Sequence, residues 1–327
     1  MCTCITLKER EFYFGRNLDL NDTFGNTIVV TPASFPLCFA REGKIEQHFS
    51  MIGMAEVRNG YPLYGEAANE KGVAMAGLYF PGHACYQREE ESRRNYQVAP
   101  FELILWILGQ CGSVEEAMEL LEKTVITDRA FSSALPNVPL HWMLADQERC
   151  VTVEAVKEGV RIYENPFGVL TNNPPFPFYN FYVSQYLHLT KDQPESTFSG
   201  TLKLCPFGEG MGAVGLPGDL SPSSRFVRAS FLKENAVGGT DEMSCVTRFF
   251  HILEQTGMVE GTVRTGDGGM DSTTYSCCMN ATQGIYYCRT YENNRIQAVK
   301  LKKEDAGKRE LLSYPVVREQ DVSWIRQ

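Results

Sequence analysis

The chain opens Met1-Cys2-Thr3-Cys4, which puts a thiol at the second position. A small residue there permits removal of Met1, and removal would leave a thiol and a free α-amine on one residue. An α-amine has a reference pKa of about 7.7–8.0, so near neutral pH it can take the thiol proton. Nucleophile and base then share Cys2, and no separate histidine is required. The string Gly15-Arg16-Asn17-Leu18-Asp19 adds two further groups of suitable type. An arginine beside a thiol favours the thiolate, and a carboxylate can hold an amine by hydrogen bonding. The chemistry open to such a set is attack on an amide carbonyl with a thioester intermediate. Taken alone, an Arg and an Asp three apart are more often a surface pair, so the fold must bring them to Cys2.

Other chemistries find little support. Gly210-Met211-Gly212-Ala213-Val214-Gly215 matches G-x-G-x-x-G, but a dinucleotide fingerprint follows a strand and opens a helix. Here Pro206 precedes it and Leu216-Pro217-Gly218-Asp219 follows, so a loop is expected. The five histidines, at 48, 83, 141, 188 and 251, show no i, i+4 pair, and no metal site is expected. No G-x-S-x-G elbow is present. Of the eleven cysteines none forms a C-x-x-C pair, so most read as reduced, buried small hydrophobes. Cys277 and Cys278 are adjacent and are expected in one strand with a side chain on each face.

The elements that must position Cys2 begin with Cys4–Leu7 and Phe12–Asn17, two strands around the charged turn Lys8 to Glu11. Such a hairpin returns Arg16 and Asp19 toward the N-terminus. A β-rich stretch follows from Thr27 to Val30, turn signals near residue 60, and a strand Val73–Phe80 after Asn69-Glu70-Lys71-Gly72. Phe101–Leu108 reads as a buried helix. Ser113-Val114-Glu115-Glu116 reads as a capping box before Val114, Met118 and Leu121 at helical spacing. His141–Leu170 returns to strands broken at Asp146-Gln147 and Glu158-Gly159. Gly208–Gly218 is a glycine-rich loop; Ser223-Ser224 is placed as the cap of a helix carrying Arg225, Val227 and Phe231. A further helix spans Asp241–Gln255, and Thr273–Leu301 reads as a β-meander turning at Gln283-Gly284 and Asn293-Asn294. Helices are grouped rather than alternating with strands, which favours antiparallel sheets between helical layers in one domain, 1–327.

These residues also carry a resemblance to a known family. Met1-Cys2-Thr3, Gly15-Arg16-Asn17-Leu18-Asp19, Asn69-Glu70-Lys71-Gly72, Leu140-His141-Trp142-Met143, Gly168 to Pro174, Gly215-Leu216-Pro217-Gly218-Asp219, Ser224-Arg225-Phe226 and Tyr291-Glu292-Asn293-Asn294 resemble, in order and spacing, the choloylglycine hydrolases. That family comprises bile salt hydrolases and penicillin V acylases. The resemblance implies an α+β, four-layer αββα sandwich of antiparallel sheets, the fold of N-terminal-nucleophile hydrolases, assembled as a homotetramer without metal or organic cofactor. It implies Cys2 as nucleophile, Arg16 and Asp19 ordering the N-terminus, and Arg225 completing the charged set. Asn172 and the backbone N–H of Tyr79 would bind the oxyanion, where one donor is commonly worth ~2.7–4 kcal/mol. Tyr79 is a departure: bile salt hydrolases typically carry Asn there and penicillin V acylases Tyr. Leu18, Tyr79, Phe131 and Leu135 are the expected acyl-pocket residues.

Composition agrees with a well-cored enzyme, at 43% hydrophobic and 22% charged residues. A net charge of -9 with scattered Lys and Arg argues against nucleic acid as a partner. The run Arg88 to Arg94 reads as a solvated loop. No stretch approaches the ~20 apolar residues of a membrane span, and charge at Lys8 to Glu11 interrupts any signal-type apolar region, so a cytoplasmic location is expected. The expected reaction is hydrolysis of a small-molecule amide, with conjugated bile salts first and penicillin V as the alternative. Transfer of the acyl group to an amine is a side branch of the same chemistry. A silent binding protein is the rival reading if Met1 is retained.

Overall fold

The computed structural model describes residues 1–326 except 22–23, 25–26, 90–94 and 267. The Arg88 to Arg94 run therefore lies mostly outside the described residues.

Two antiparallel sheets dominate. The first has the order β14 (Val169–Leu170), β1 (Cys2–Lys8), β2 (Phe12–Leu20), β16 (Met270–Asn280), β17 (Ile285–Thr290) and β18 (Gln297–Lys300), with β15 (Val263–Arg264) paired to β16. The second runs β13 (Gly159–Glu164), β12 (Cys150–Val156), β11 (Leu140–Ala145), β8 (Ala74–Tyr79), β7 (Tyr61–Asn69), β6 (Met51–Arg58), β3 (Thr27–Thr31) and β19 (Leu312–Pro315). Two small ribbons, β4 (Leu37–Phe39) with β5 (Gly43–Ile45) and β9 (Tyr96–Val98) with β10 (Thr124–Ile126), flank the second sheet's helices.

The layering follows from the two-residue period of the strands, because successive side chains face opposite ways. Ala74, Ala76 and Leu78 of β8, with Met143 and Ala145 of β11, belong to a core shared with the first sheet. Their neighbours Val73, Met75, Trp142 and Leu144 pack with α1 (Leu103–Gln110) and α2 (Val114–Glu122). On the other side, α4 (Pro222–Asn235) and α5 (Glu242–Glu254) supply Phe226, Val246, Phe249 and Leu253 against the first sheet. The order is helices, sheet, sheet, helices. This is the four-layer αββα sandwich expected from the resemblance. Among the described residues no helix is long and apolar enough to cross a membrane.

Several details depart from expectation. The strand after Asn69 is bounded as β8, but the turn signals near residue 60 join two strands, β6 and β7, that the sequence does not predict. A short helix, α3 (Pro177–Tyr182), stands where none was read. The cap of α4 is Ser221, whose hydroxyl accepts from Ser224 N–H, with Pro222 in the first turn; Ser223 and Ser224 already lie inside the helix. Proline fits there because its missing N–H would have had no helical partner. Ser113 caps α2 as expected, yet Glu116 turns back to the Gly112 N–H instead of Ser113, so the reciprocal half of the box is displaced by one residue. The α5 cap is a full box between Asp241 and Ser244. Gly210 sits in the left-handed region at φ 76° and opens only a three-residue turn, so the G-x-G-x-x-G string is a loop. Cys277 and Cys278 are both fully buried in β16, both as free thiols.

Candidate active site

Register in the first hairpin decides the site. β1 and β2 pair Cys2 with Leu18 and Cys4 with Arg16, so Arg16 stands on the same face of the sheet as Cys2. Arg16 is fully buried and its Nη2 donates to Cys2 Sγ at 2.5 Å. Its Nη1 donates to the Gly77 carbonyl at 2.5 Å, and the Glu66 carboxylate lies 3.8 Å from the same nitrogen. Burial works against the charge on this guanidinium; the facing Cys2, Tyr275, Glu66 and Cys4 outweigh it and raise the Arg16 pKa.

Arg225 reaches the same residue from the opposite side. It projects from α4, fully buried, with Nη1 donating to the Cys2 carbonyl at 2.5 Å and to Thr3 Oγ1 at 2.6 Å. Its Nη2 donates to Asn172 Oδ1 at 2.7 Å. Burial draws the Arg225 pKa down, against the pull of Asp19 and Cys2. Asn172, just past β14, accepts from the Cys2 N–H at 3.1 Å and donates Nδ2 to the Tyr79 carbonyl at 2.7 Å. The two groups expected to bind an oxyanion are thus neighbours. One N–H of the Asn172 amide is engaged by the Tyr79 carbonyl, and an amide nitrogen carries two.

Asp19 lies at the far end of the hairpin. Its Oδ1 accepts from Thr273 Oγ1 at 2.6 Å, while Oδ2 is buried without a hydrogen-bond partner among the described residues. Burial raises the Asp19 pKa, opposed by Arg225 and the terminal ammonium. The chain carries Met1 in front of Cys2, and the Met1 ammonium bonds the Asp19 carbonyl and, at 2.9 Å, Asp271 Oδ2. With Met1 attached, the Cys2 nitrogen is an amide and cannot serve as a base.

A cavity of about 640 Å³ opens from Met1, Cys2 and Arg16. Leu18, Tyr79, Phe131 and Leu135 all line it, joined by Phe101 and Ile104 at the head of α1. Phe131 and Leu135 are therefore cavity walls and not core packing. Phe131 is held by edge contacts to Phe101 at 5.2 Å. Tyr79 is 41% exposed and lines the cavity.

The sequence matches the family described as linear amide C-N hydrolases, choloylglycine hydrolase family, over residues 2–314. The chain belongs to the choloylglycine hydrolase family. Its relatives include the bile salt hydrolase/transferase of Lactiplantibacillus plantarum, 42% identical over 97% of each chain. The structure is similar to that of a C2A conjugated bile acid hydrolase from Clostridium perfringens, with a TM-score of 0.91, 34% identity and full coverage of both chains. It also shares its fold with penicillin V acylase from Agrobacterium tumefaciens, at a TM-score of 0.75 and 18% identity over 96% of this chain and 91% of that one. As a member of this family the chain is a hydrolase of linear amides, and a small-molecule amide is its class of substrate.

Two groups at the choloylglycine hydrolase site escaped sequence reasoning. Glu66 crosses between the sheets: it is fully buried on β7 and accepts from Tyr275 at 2.7 Å and Tyr286 at 2.5 Å, both on the first sheet. A lone acid within the small-residue run Gly65-Glu66-Ala67-Ala68 was its one visible signal. Asp271 sits just ahead of the stretch where the meander was read to begin.

Proposed function

We propose that this enzyme cleaves the amide bond of glycine- or taurine-conjugated bile salts through a Cys2 thioester, after loss of Met1. The observation that carries the proposal is the Arg16–Cys2 contact at the mouth of a large apolar cavity. A polarised thiol beside a wall of Leu18, Phe101, Phe131 and Leu135 suits an amide with a bulky apolar acyl group. Similarity to the bile salt hydrolase/transferase of L. plantarum and to the conjugated bile acid hydrolase of C. perfringens supports bile acids as that group.

The roles proposed are those that the family resemblance implies, and the contacts around Cys2 support them. The freed Cys2 amine takes the thiol proton, Arg16 stabilises the thiolate, and Sγ attacks the carbonyl carbon. The second N–H of Asn172 Nδ2 and the Tyr79 N–H receive the oxyanion. The amine returns its proton to the leaving nitrogen, and water then hydrolyses the thioester. Asp19 and Arg225 hold the terminus in place. The protein acts as one domain, 1–327, in the cytoplasm, as a homotetramer, without metal or cofactor.

Tyr79 favours a second reading, penicillin V acylase. Hydrolysis of glycocholate, taurocholate and penicillin V by Met-free protein, side by side, separates the two. Faster bile-salt turnover is expected; faster penicillin V turnover would replace the first reading with the second.

A further inference from the structure

We infer that Asp271 and the backbone of Asp19 form a binding site for a primary ammonium group, and that this site takes the amine half of the substrate. The inference rests on the Cys2 acyl-enzyme proposed above. The Met1 residue shows the site filled. Its ammonium is held by the Asp19 carbonyl and by Asp271 Oδ2 at 2.9 Å, and its carbonyl accepts from the Asp19 N–H at 2.9 Å. Asp271 is only 4% exposed, yet it lines the cavity. When Met1 leaves, a buried carboxylate, a carbonyl and an N–H lose their partner together. Buried groups of this kind call for a replacement ligand, and a carboxylate beside a carbonyl selects a cationic donor.

The position matters as much as the chemistry. Backbone nitrogens of consecutive residues are separated by three short bonds, which places them about 3–3.6 Å apart. The Met1 ammonium therefore marks a point within hydrogen-bonding reach of the Cys2 nitrogen. A departing amine that collects its proton from the Cys2 amine comes to the same neighbourhood. The charged groups facing it are Asp271 on β16, the Asp19 carboxylate on β2 and Arg225 on α4, whose Nη2 lies 3.7 Å from Met1 Sδ.

During acylation the Sγ–C bond forms, the C–N bond breaks, and the proton first taken from the thiol passes to the leaving nitrogen. The free amine takes a second proton from solvent and rests on Asp271 as an ammonium. In the opposite direction an ammonium held there gives one proton to solvent, the neutral amine attacks the thioester carbon in place of water, and its second proton passes through the Cys2 amine to the departing Cys2 Sγ as the C–S bond breaks. Asp271 is thus a specificity-determining residue for the amine half, and it sets the share of acyl-enzyme returned to an amine.

The test compares Met-free wild type with Asp271→Asn, and with Asp271→Ser as a second variant. Methylammonium is the probe, and protection of Cys2 from iodoacetamide is followed by intact mass. Saturable protection is expected in the wild type, with the half-protecting concentration raised about tenfold or more in either variant, the scale of a lost charge-assisted hydrogen bond. Tetramethylammonium, which has no N–H, should not protect. Absence of protection, or equal protection in the variants, would overturn the inference. Because this arm needs no substrate, its failure is distinguishable from failure of the bile-salt reading. With any amide that the enzyme turns over, the ratio of transfer to hydrolysis in added glycinamide should fall about tenfold in Asp271→Asn; an unchanged ratio would also overturn it.

Discussion

Arg16 turns one guanidinium nitrogen to the Cys2 thiol at 2.5 Å while the other lies 3.8 Å from the Glu66 carboxylate. The nucleophile on one sheet is thereby linked to an acid on the other. Tyr275 and Tyr286 cap both oxygens of that acid, so its position is fixed from the first sheet as well. An arginine held at both ends cannot swing away from the thiol when substrate enters.

Removing the Glu66 charge takes away one of the groups that hold the buried Arg16 cation. Breaking a buried pair in this way commonly costs about 3–5 kcal/mol. Urea unfolding of Glu66→Gln should show a loss on that scale, and Tyr286→Phe a smaller one. A Glu66→Gln variant with wild-type stability would remove the carboxylate from the account of how Arg16 is held.

Arg225 ties α4 to the Cys2 carbonyl, Thr3 and Asn172 at once. Arg225→Ala should lower kcat by about 100-fold or more, since several buried acceptors lose their donor together. Arg225→Lys should recover only part of this, because an ammonium cannot reproduce the planar fork. Steady-state kinetics of the two variants checks both statements.

Gly15 precedes Arg16 on β2, and a Cβ there would lie 2.1 Å from the Cys277 carbonyl oxygen. That neighbour is backbone and cannot rotate away. Gly15→Ala should force β2 off β16, lower thermal stability strongly and displace Arg16 with it. Normal stability and activity in this variant would contradict the close approach of the two strands.

Asp219 accepts from Ser221 N–H and Ser224 Oγ at the start of α4, and these bonds hold its pKa down to about 2. A carboxylate depressed in the folded state stabilises the fold above its unfolded pKa, and that contribution fades as pH falls through the folded value. The stability difference between wild type and Asp219→Asn should therefore be present at pH 6 and vanish between about pH 4 and pH 2. Asp219 is largely exposed, so solvent screening keeps the difference to about 1 kcal/mol at most. Chemical denaturation across that range gives the measurement.

The parts of this structure that the sequence disclosed are those whose signal is local. The β1–β2 hairpin was legible from a charged turn between two apolar runs, and its register alone delivers Arg16 to Cys2. The helices α1, α2, α4 and α5 were legible from apolar spacing and caps, although the α4 cap was misplaced by two residues because three serines compete near one proline. β6 and β7 were hidden for a physical reason. Pro62 reads as a turn signal, yet it pairs with Val57 next to the turn of the β6–β7 hairpin, and Gly65 sits at an irregularity in the hairpin's register. With β7 unseen, Glu66 had no address. Asp271 was hidden differently: it becomes a site residue only because β16 begins before the meander's apolar signal and carries it to the N-terminus. Tertiary neighbours such as these leave no periodic trace.

The central claim is that Cys2 becomes a nucleophile with its own amine as base once Met1 is gone. The most direct measurement is glycocholate hydrolysis by Met-bearing and Met-free protein, separated and assigned by intact mass, with Cys2→Ser as a third sample. Turnover is predicted in the Met-free protein alone, with the Met-bearing form and Cys2→Ser inactive though folded. Equal turnover by the Met-bearing form, or wild-type turnover by Cys2→Ser, would contradict the mechanism.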